Sequence, residues 1–116
     1  MSTKVEWQKP LSSPWFELIR DEVKIAEGRP NKGDFKKMNV GDIIEFIQKG
    51  KQSYKVEITA KKEYSTFKQM LEKEGLDKVL PGVKNIDPDG VNVYRQWYDA
   101  KTEKKFGVVA IHIKRV

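Results

Sequence analysis

The C-terminal run FGVVAIHIKRV, Phe106 to Val116, decides how this chain can fold. Val109, Ile111 and Ile113 alternate with Val108, Ala110 and His112, and no charge interrupts the run before Lys114. Left at a sheet edge, such a strand would expose a hydrophobic pairing surface. The run therefore predicts a strand paired on both flanks, or one that closes a barrel.

Two more strands stand upstream. In SYKVEITAKKEY, Tyr54, Val56 and Ile58 alternate with Lys55, Glu57 and Thr59, and DIIEFIQ precedes it across a turn near Gly50. Period-two patterning on both sides of a turn predicts an antiparallel pair. KIAEG reads as a further short strand stopped by Pro30, which lacks a ladder amide.

Helices are marked by their ends. SSPWFELIRDE offers Ser13 as a cap, Pro14 at the first helical position and Trp15, Leu18 and Ile19 on one face, so a short helix is expected over residues 13–21. STFKQMLEKEGL places Phe67, Met70 and Leu71 at helical spacing between a Ser65 or Thr66 cap and a terminating Gly75. Asp87, Pro88, Asp89 and Gly90 match a type I turn, and Val91, Tyr94, Trp97 and Tyr98 recur at the spacing of a third short helix that would bury Trp97. Strands with segregated helices predict an α+β fold with a small curled sheet of mixed and antiparallel strands, in one domain over residues 1–116.

Composition narrows the function. A hydrophobic fraction of 38% suits a folded chain, and 34% charged residues imply a heavily solvated surface. The absence of cysteine rules out disulfides and thiol chemistry. With one histidine, a thiolate or imidazole metal centre is not expected, and DPDG is too short for a calcium loop, so neither metal nor cofactor is anticipated. MSTKVEWQKP lacks the apolar run of a leader and no stretch reaches membrane-spanning length, which reads as a soluble intracellular protein, cytoplasmic or, in a eukaryote, nuclear. The net charge of +6 favours polyanions; ten Lys or Arg against five Asp or Glu from Lys24 to Lys62, a local +5, put most of the excess in that segment.

Within it, KIAEGRPNKGDF carries the densest chemistry. Lys24, Glu27 and Arg29 can form a network in which a carboxylate lies between two cations, and an arginine fork suits phosphate or carboxylate. Asn31, Lys32 and Gly33 look like a phosphate-contacting turn with free amides. Exposed charged pairs are common and contribute little, so spacing alone favours a solvated connector. Tyr94, Trp97 and Tyr98, with Trp7 and Trp15, are candidates for base stacking, worth roughly 1–3 kcal/mol per base. His112, alone on an apolar strand, reads as a packed residue rather than a base.

PWFELIRDEVKIAEGRPNKGDFKKMNVGDIIEF resembles the signature of ASCH (activating signal cointegrator homology) domains, with a helix, a Lys-x-x-Glu-x-Arg strand and a Val-Gly-Asp-x-Ile strand. LPGVKNIDPDGVNVYRQWYDAKTEKKFGVVAIHIKRV is similar to their C-terminal half. The resemblance implies a PUA-like fold, a small β-barrel with flanking helices, and a basic cleft for nucleic acid or nucleoside lined by Lys24, Glu27 and Arg29, with Lys32, Tyr94, Arg95 and Tyr98 as further candidates. It implies binding of RNA, single-stranded nucleic acid or a nucleotide. Some relatives are ribonucleases, and others are acetylcytidine amidohydrolases that carry Thr where this chain has Glu27. A carboxylate is a poor replacement for that nucleophile. A hydrolase acting on RNA or a modified nucleoside, with Lys24 and Glu27 as its acid/base pair, and a protein-interaction adaptor stand as alternatives. The glycine that usually precedes the motif is replaced here by Asp21 or Glu22.

Overall fold

The computed structural model describes residues 4–116; the first three residues of the segment read for a leader lie outside it. Five strands form one sheet: β1 (Glu6–Pro10), β2 (Ala26–Pro30), β3 (Ile43–Ile47), β4 (Tyr54–Tyr64) and β5 (Val108–Arg115). Their order is β1-β3-β4-β5-β2, with β1 parallel to β3 and every other pair antiparallel. The sheet curls into a half-barrel rather than a closed cylinder, with β1 and β2 at its two edges.

β5 is paired on both sides, to β4 and β2, as its apolar run requires. Its two faces feed two apolar clusters. Val109, Ile111 and Ile113 meet Phe16, Ile44, Phe46 and Val56, while Val108 and Ala110 meet Phe67, Met70 and Leu71. The expected β3–β4 pair forms with Tyr54, Val56 and Ile58 inward. In β4, Ile58 faces Ile113 and Ala60 faces His112, so Thr59 is an extra residue. Such a bulge bends a strand and strengthens its twist, which here curls the sheet.

β1 lies outside the expected set. Its sequence EWQKP is largely polar, it carries no apolar alternation, and it pairs only at an edge. Asp42 holds it in place: the buried carboxylate accepts hydrogen bonds from the Val5 amide (3.1 Å), the Trp7 indole (3.0 Å) and the Asn39 amide (3.0 Å). Pro30 ends β2 without cost because that strand is an edge.

Among the described residues six short α-helices flank the sheet: α1 (Trp15–Arg20), α2 (Gly33–Lys37), α3 (Phe67–Glu74), α4 (Leu76–Val79), α5 (Val91–Arg95) and α6 (Ala100–Phe106). Thr66 caps α3 by accepting from the Gln69 amide (3.0 Å), and Gly75 ends it at φ +95°, as the sequence predicts. α1 is shorter than expected and Pro14 lies just before it. Ser13 does not cap it, since its hydroxyl donates to the Glu17 side chain at 2.9 Å. Residues 86–90 form a wide helical turn, closed by the Gly90 amide on the Asn85 carbonyl, in place of the type I turn. The third helix ends at Arg95, so Trp97 and Tyr98 fall beyond it. The glycine-lacking turn before β2 is made by Glu22 at φ +62°, among the described residues the one non-glycine in that region.

Ile111 is fully buried in the strand that both clusters share. Ile111→Ala is expected to cost about 2–5 kcal/mol in urea unfolding; a loss below 1 kcal/mol would mean that β5 does not organise the core.

Candidate functional site

β2 carries the motif from the interior to the sheet edge. Lys24, two residues before the strand begins, is 1% exposed, and Glu27 is 6% exposed. The Lys24 ammonium lies 3.3 Å from Glu27 Oε1, donates to the Ala26 carbonyl at 2.8 Å and donates to the Val79 carbonyl. Backbone carbonyls hold two of its three N–H donors, and the Glu27 carboxylate lies at ion-pair distance. Lys24 thus ties the start of β2 to the end of α4 and fixes one carboxylate oxygen of Glu27.

The other oxygen, Glu27 Oε2, accepts from Arg29 Nε and Nη2, both at 3.2 Å. The guanidinium sits 4.7 Å above the Phe35 ring, which fixes its plane, and its Nη1 has no hydrogen-bond partner among the described residues. Burial is the largest single influence on all three groups. It lowers the pKa of Lys24 despite the attraction of Glu27. For Glu27 burial pushes the other way, but the combined charges and hydrogen bonds of Lys24 and Arg29 outweigh it and hold the carboxyl below its ordinary range. For Arg29 burial again opposes the charge, but the combined influence of Glu27 and Tyr98 outweighs it, and the pKa rises. The group is a buried carboxylate between two cations, one tied to backbone carbonyls and one with a free edge.

These side chains border a cavity of about 450 Å³ between the motif, the loop after β1, the end of β3 and the chain around α5. Tyr94 and Tyr98 line it, as do Trp15 and Trp97. Tyr94 is 5% exposed, stacks on Phe67 (centroids 4.0 Å apart, planes at 7°), and its hydroxyl has no hydrogen-bond partner among the described residues. Burial raises the pKa of that hydroxyl well above its usual value. Tyr98 stacks on the same Phe67 at 6.0 Å. Trp97, expected in the core, is 65% exposed because α5 stops before it and the chain turns it outward. Trp7 is not part of this cavity lining and serves Asp42 instead.

Lys32 and Arg95 are also outside the lining. The stretch after Asn31 is α2 rather than an open turn, and Lys32 Nζ lies 5.2 Å from the Phe106 ring. Arg95 donates to Glu103 Oε1 at 2.8 Å, while Glu103 Oε2 accepts from the buried Phe67 amide at 2.7 Å. Gly28, absent from the sequence-level candidates, lines the cavity: a Cβ there would stand 2.5 Å from Met70 Cε and 3.0 Å from the Tyr94 hydroxyl. A glycine inside a strand is the signal for such close approach. His112 is packed, as expected, but not alone: its Nε2 lies 2.6 Å from Glu74 Oε1, and Tyr64 donates to the same carboxylate, away from the cavity. Among the described residues no three His, Asp or Glu side chains converge as a metal set, and no helix is long and apolar enough to cross a membrane.

A half-barrel sheet with helices packed on it defines the PUA-like class of domain. The chain belongs to the ASCH domain family, which it matches over residues 11–116. That family is in general one of RNA-binding modules. Two solved structures are similar along nearly the whole chain. The crystal structure of hypothetical protein PH0355 is 46% identical, with 97% of this chain and 100% of that one covered and a TM-score of 0.88. The solution structure of protein PF0455 from Pyrococcus furiosus is 45% identical, with 97% and 98% covered and a TM-score of 0.80. No curated protein matches the chain.

Two outcomes follow from the site's electrostatics. Tyr94→Phe keeps the ring stack and removes an unpartnered buried hydroxyl, so the melting temperature should hold or rise, by the equivalent of up to about 1–3 kcal/mol. A clear drop would show that the hydroxyl has a partner. Glu27, Asp42 and Glu74 are buried, and for each the surrounding donors and charges outweigh burial and lower the pKa. Carboxyls more acidic folded than unfolded add stability above the ordinary carboxylate range and lose it as pH falls through the depressed folded values. Thermal stability should therefore be flat near neutrality and fall below about pH 4. Glu27→Gln should start lower and fall less steeply, whereas an unchanged profile would mean that Glu27 is not ion-paired.

Proposed function

We propose that the cavity binds RNA or a nucleotide-like ligand, with Arg29 as the donor that meets it and Glu27 as the group that aims Arg29. The observation that carries this reading is the half-used guanidinium. Two of its nitrogens are locked on a buried carboxylate, one has no partner among the described residues, and the whole lines a cavity of about 450 Å³. A volume of that order suits a small ligand or one nucleotide unit of a longer one. Arginine pre-set in this way offers a donor edge to a phosphate or a base acceptor with little further ordering. Glu27 can in addition accept from an exocyclic amino group. Lys24 holds the arrangement rather than touching the ligand.

The hydrolase reading draws on one feature, the buried lysine of lowered pKa beside a carboxylate. Against it, two of the three Lys24 donors are held by backbone carbonyls and its charge is paired with Glu27. A protein-interaction adaptor would use the same cavity for a peptide, and nothing in its charge pattern favours that over an anionic ligand.

Calorimetric titration with short single-stranded RNA and with free nucleosides tests the proposal, each mixture being analysed afterwards for new products. Arg29→Ala should weaken binding by about 2–5 kcal/mol, as truncation of one member of a buried charged pair does. Affinity should fall with salt, and if Arg29 meets a phosphate the variant's log–log salt slope should be shallower by about 0.7. Unchanged affinity in Arg29→Ala would remove the site from this cavity. A product that disappears in Glu27→Gln would make the same residues catalytic.

A further inference from the structure

Trp97 is the feature that the motif leaves unexplained. Its neighbours Tyr94 and Tyr98 pack on Phe67, yet its indole is 65% exposed while still lining the cavity. The segment is not loose: the amides of Trp97 (3.0 Å) and Tyr98 (2.8 Å) both donate to the Tyr94 carbonyl, which anchors the chain just past α5. A wide aromatic face is thus held at the border of a charged cavity, turned to water. Lys49, exposed and also on the lining, forms no ion pair among the described residues.

We propose that Trp97 is the stacking platform for a second base next to the one held in the cavity, so that the site takes a single-stranded RNA segment rather than a free nucleoside. This rests on the cavity being the RNA site. The argument is one of division of labour. Polar discrimination is concentrated at Arg29 and Glu27, whereas Trp97 offers only a π face, which any base can cover. A nucleoside seated against the motif has no second base for the indole. A strand supplies both that base and the intervening phosphate, for which Lys49 is an available cation. The net charge of +6 matches a polyanion and argues against an uncharged apolar partner at this face.

The test is calorimetry of wild type, Trp97→Ala, Trp97→Phe and Arg29→Ala against the four ribonucleosides and the four homo-hexaribonucleotides, with circular dichroism to confirm folding. Trp97→Ala should lose about tenfold or more in hexanucleotide affinity, leave nucleoside affinity unchanged, and be largely restored by Trp97→Phe. Equal losses on hexanucleotides and nucleosides would place Trp97 inside a one-nucleoside site, and no loss on either would make it an unused surface residue; each result overturns the proposal. If no nucleoside binds measurably, the hexanucleotides decide alone: loss in Trp97→Ala restored in Trp97→Phe supports the platform, and no loss sinks it. Hexanucleotide binding untouched by Arg29→Ala, or absent from wild type, would instead bring down the RNA reading of the cavity and this inference with it.

Discussion

The double pairing of β5 is the constraint on which the rest of the structure depends. A strand that is apolar on both faces needs a neighbour on each edge and a cover on each side. β4 and β2 supply the edges. α1, with β3 and β4, covers one face, and α3 with the chain around α5 covers the other. β2, which bears the charged motif, is therefore drawn against the most apolar strand of the molecule, and its charges cannot all reach water.

The chemistry of the cavity follows from that placement. Charges forced out of water must be compensated by partners with good geometry, and removing one partner from such a set is costly. Glu27 is compensated from both sides, by Lys24 and by Arg29, and Lys24 in turn by two carbonyls, the neighbouring one of Ala26 and the distant one of Val79. The result is a rigid acceptor that orients an arginine. Gly28 sits between the two charged residues and keeps Met70 and Tyr94 close to the strand. The same packing that forms the second apolar cluster thereby shapes one wall of the cavity.

Asp42 shows a motif residue with a different duty. It belongs to the Val-Gly-Asp-x-Ile segment, but its carboxylate is spent on the Val5 and Asn39 amides and the Trp7 indole. It fastens an edge strand whose own sequence carries no strand pattern. Glu103 does similar work between α6, Arg95 and the start of α3, which removes Arg95 from the cavity. Acidic residues in this chain thus serve largely to satisfy amides and cations at the joints between elements.

By itself the sequence determined the elements whose signals are local: the alternating strands β3, β4 and β5, the capped α3, the family resemblance and the Lys-x-x-Glu-x-Arg spacing that puts Glu27 and Arg29 on one face. Those signals survive because patterning and capping act over a few residues. Tertiary structure alone decided the rest. Whether Lys24 is free depends on the Val79 carbonyl, 55 residues away; whether Trp97 is core depends on α5 ending at Arg95; and β1 exists because Asp42, 35 residues from Trp7, holds it. The aromatic spacing of Tyr94, Trp97 and Tyr98 looked the same for burial and exposure, because periodicity names a face but not what lies opposite it. Contacts between distant residues have no signature in any short window of sequence, and in this protein they separate a charge that braces the fold from one that can meet a ligand.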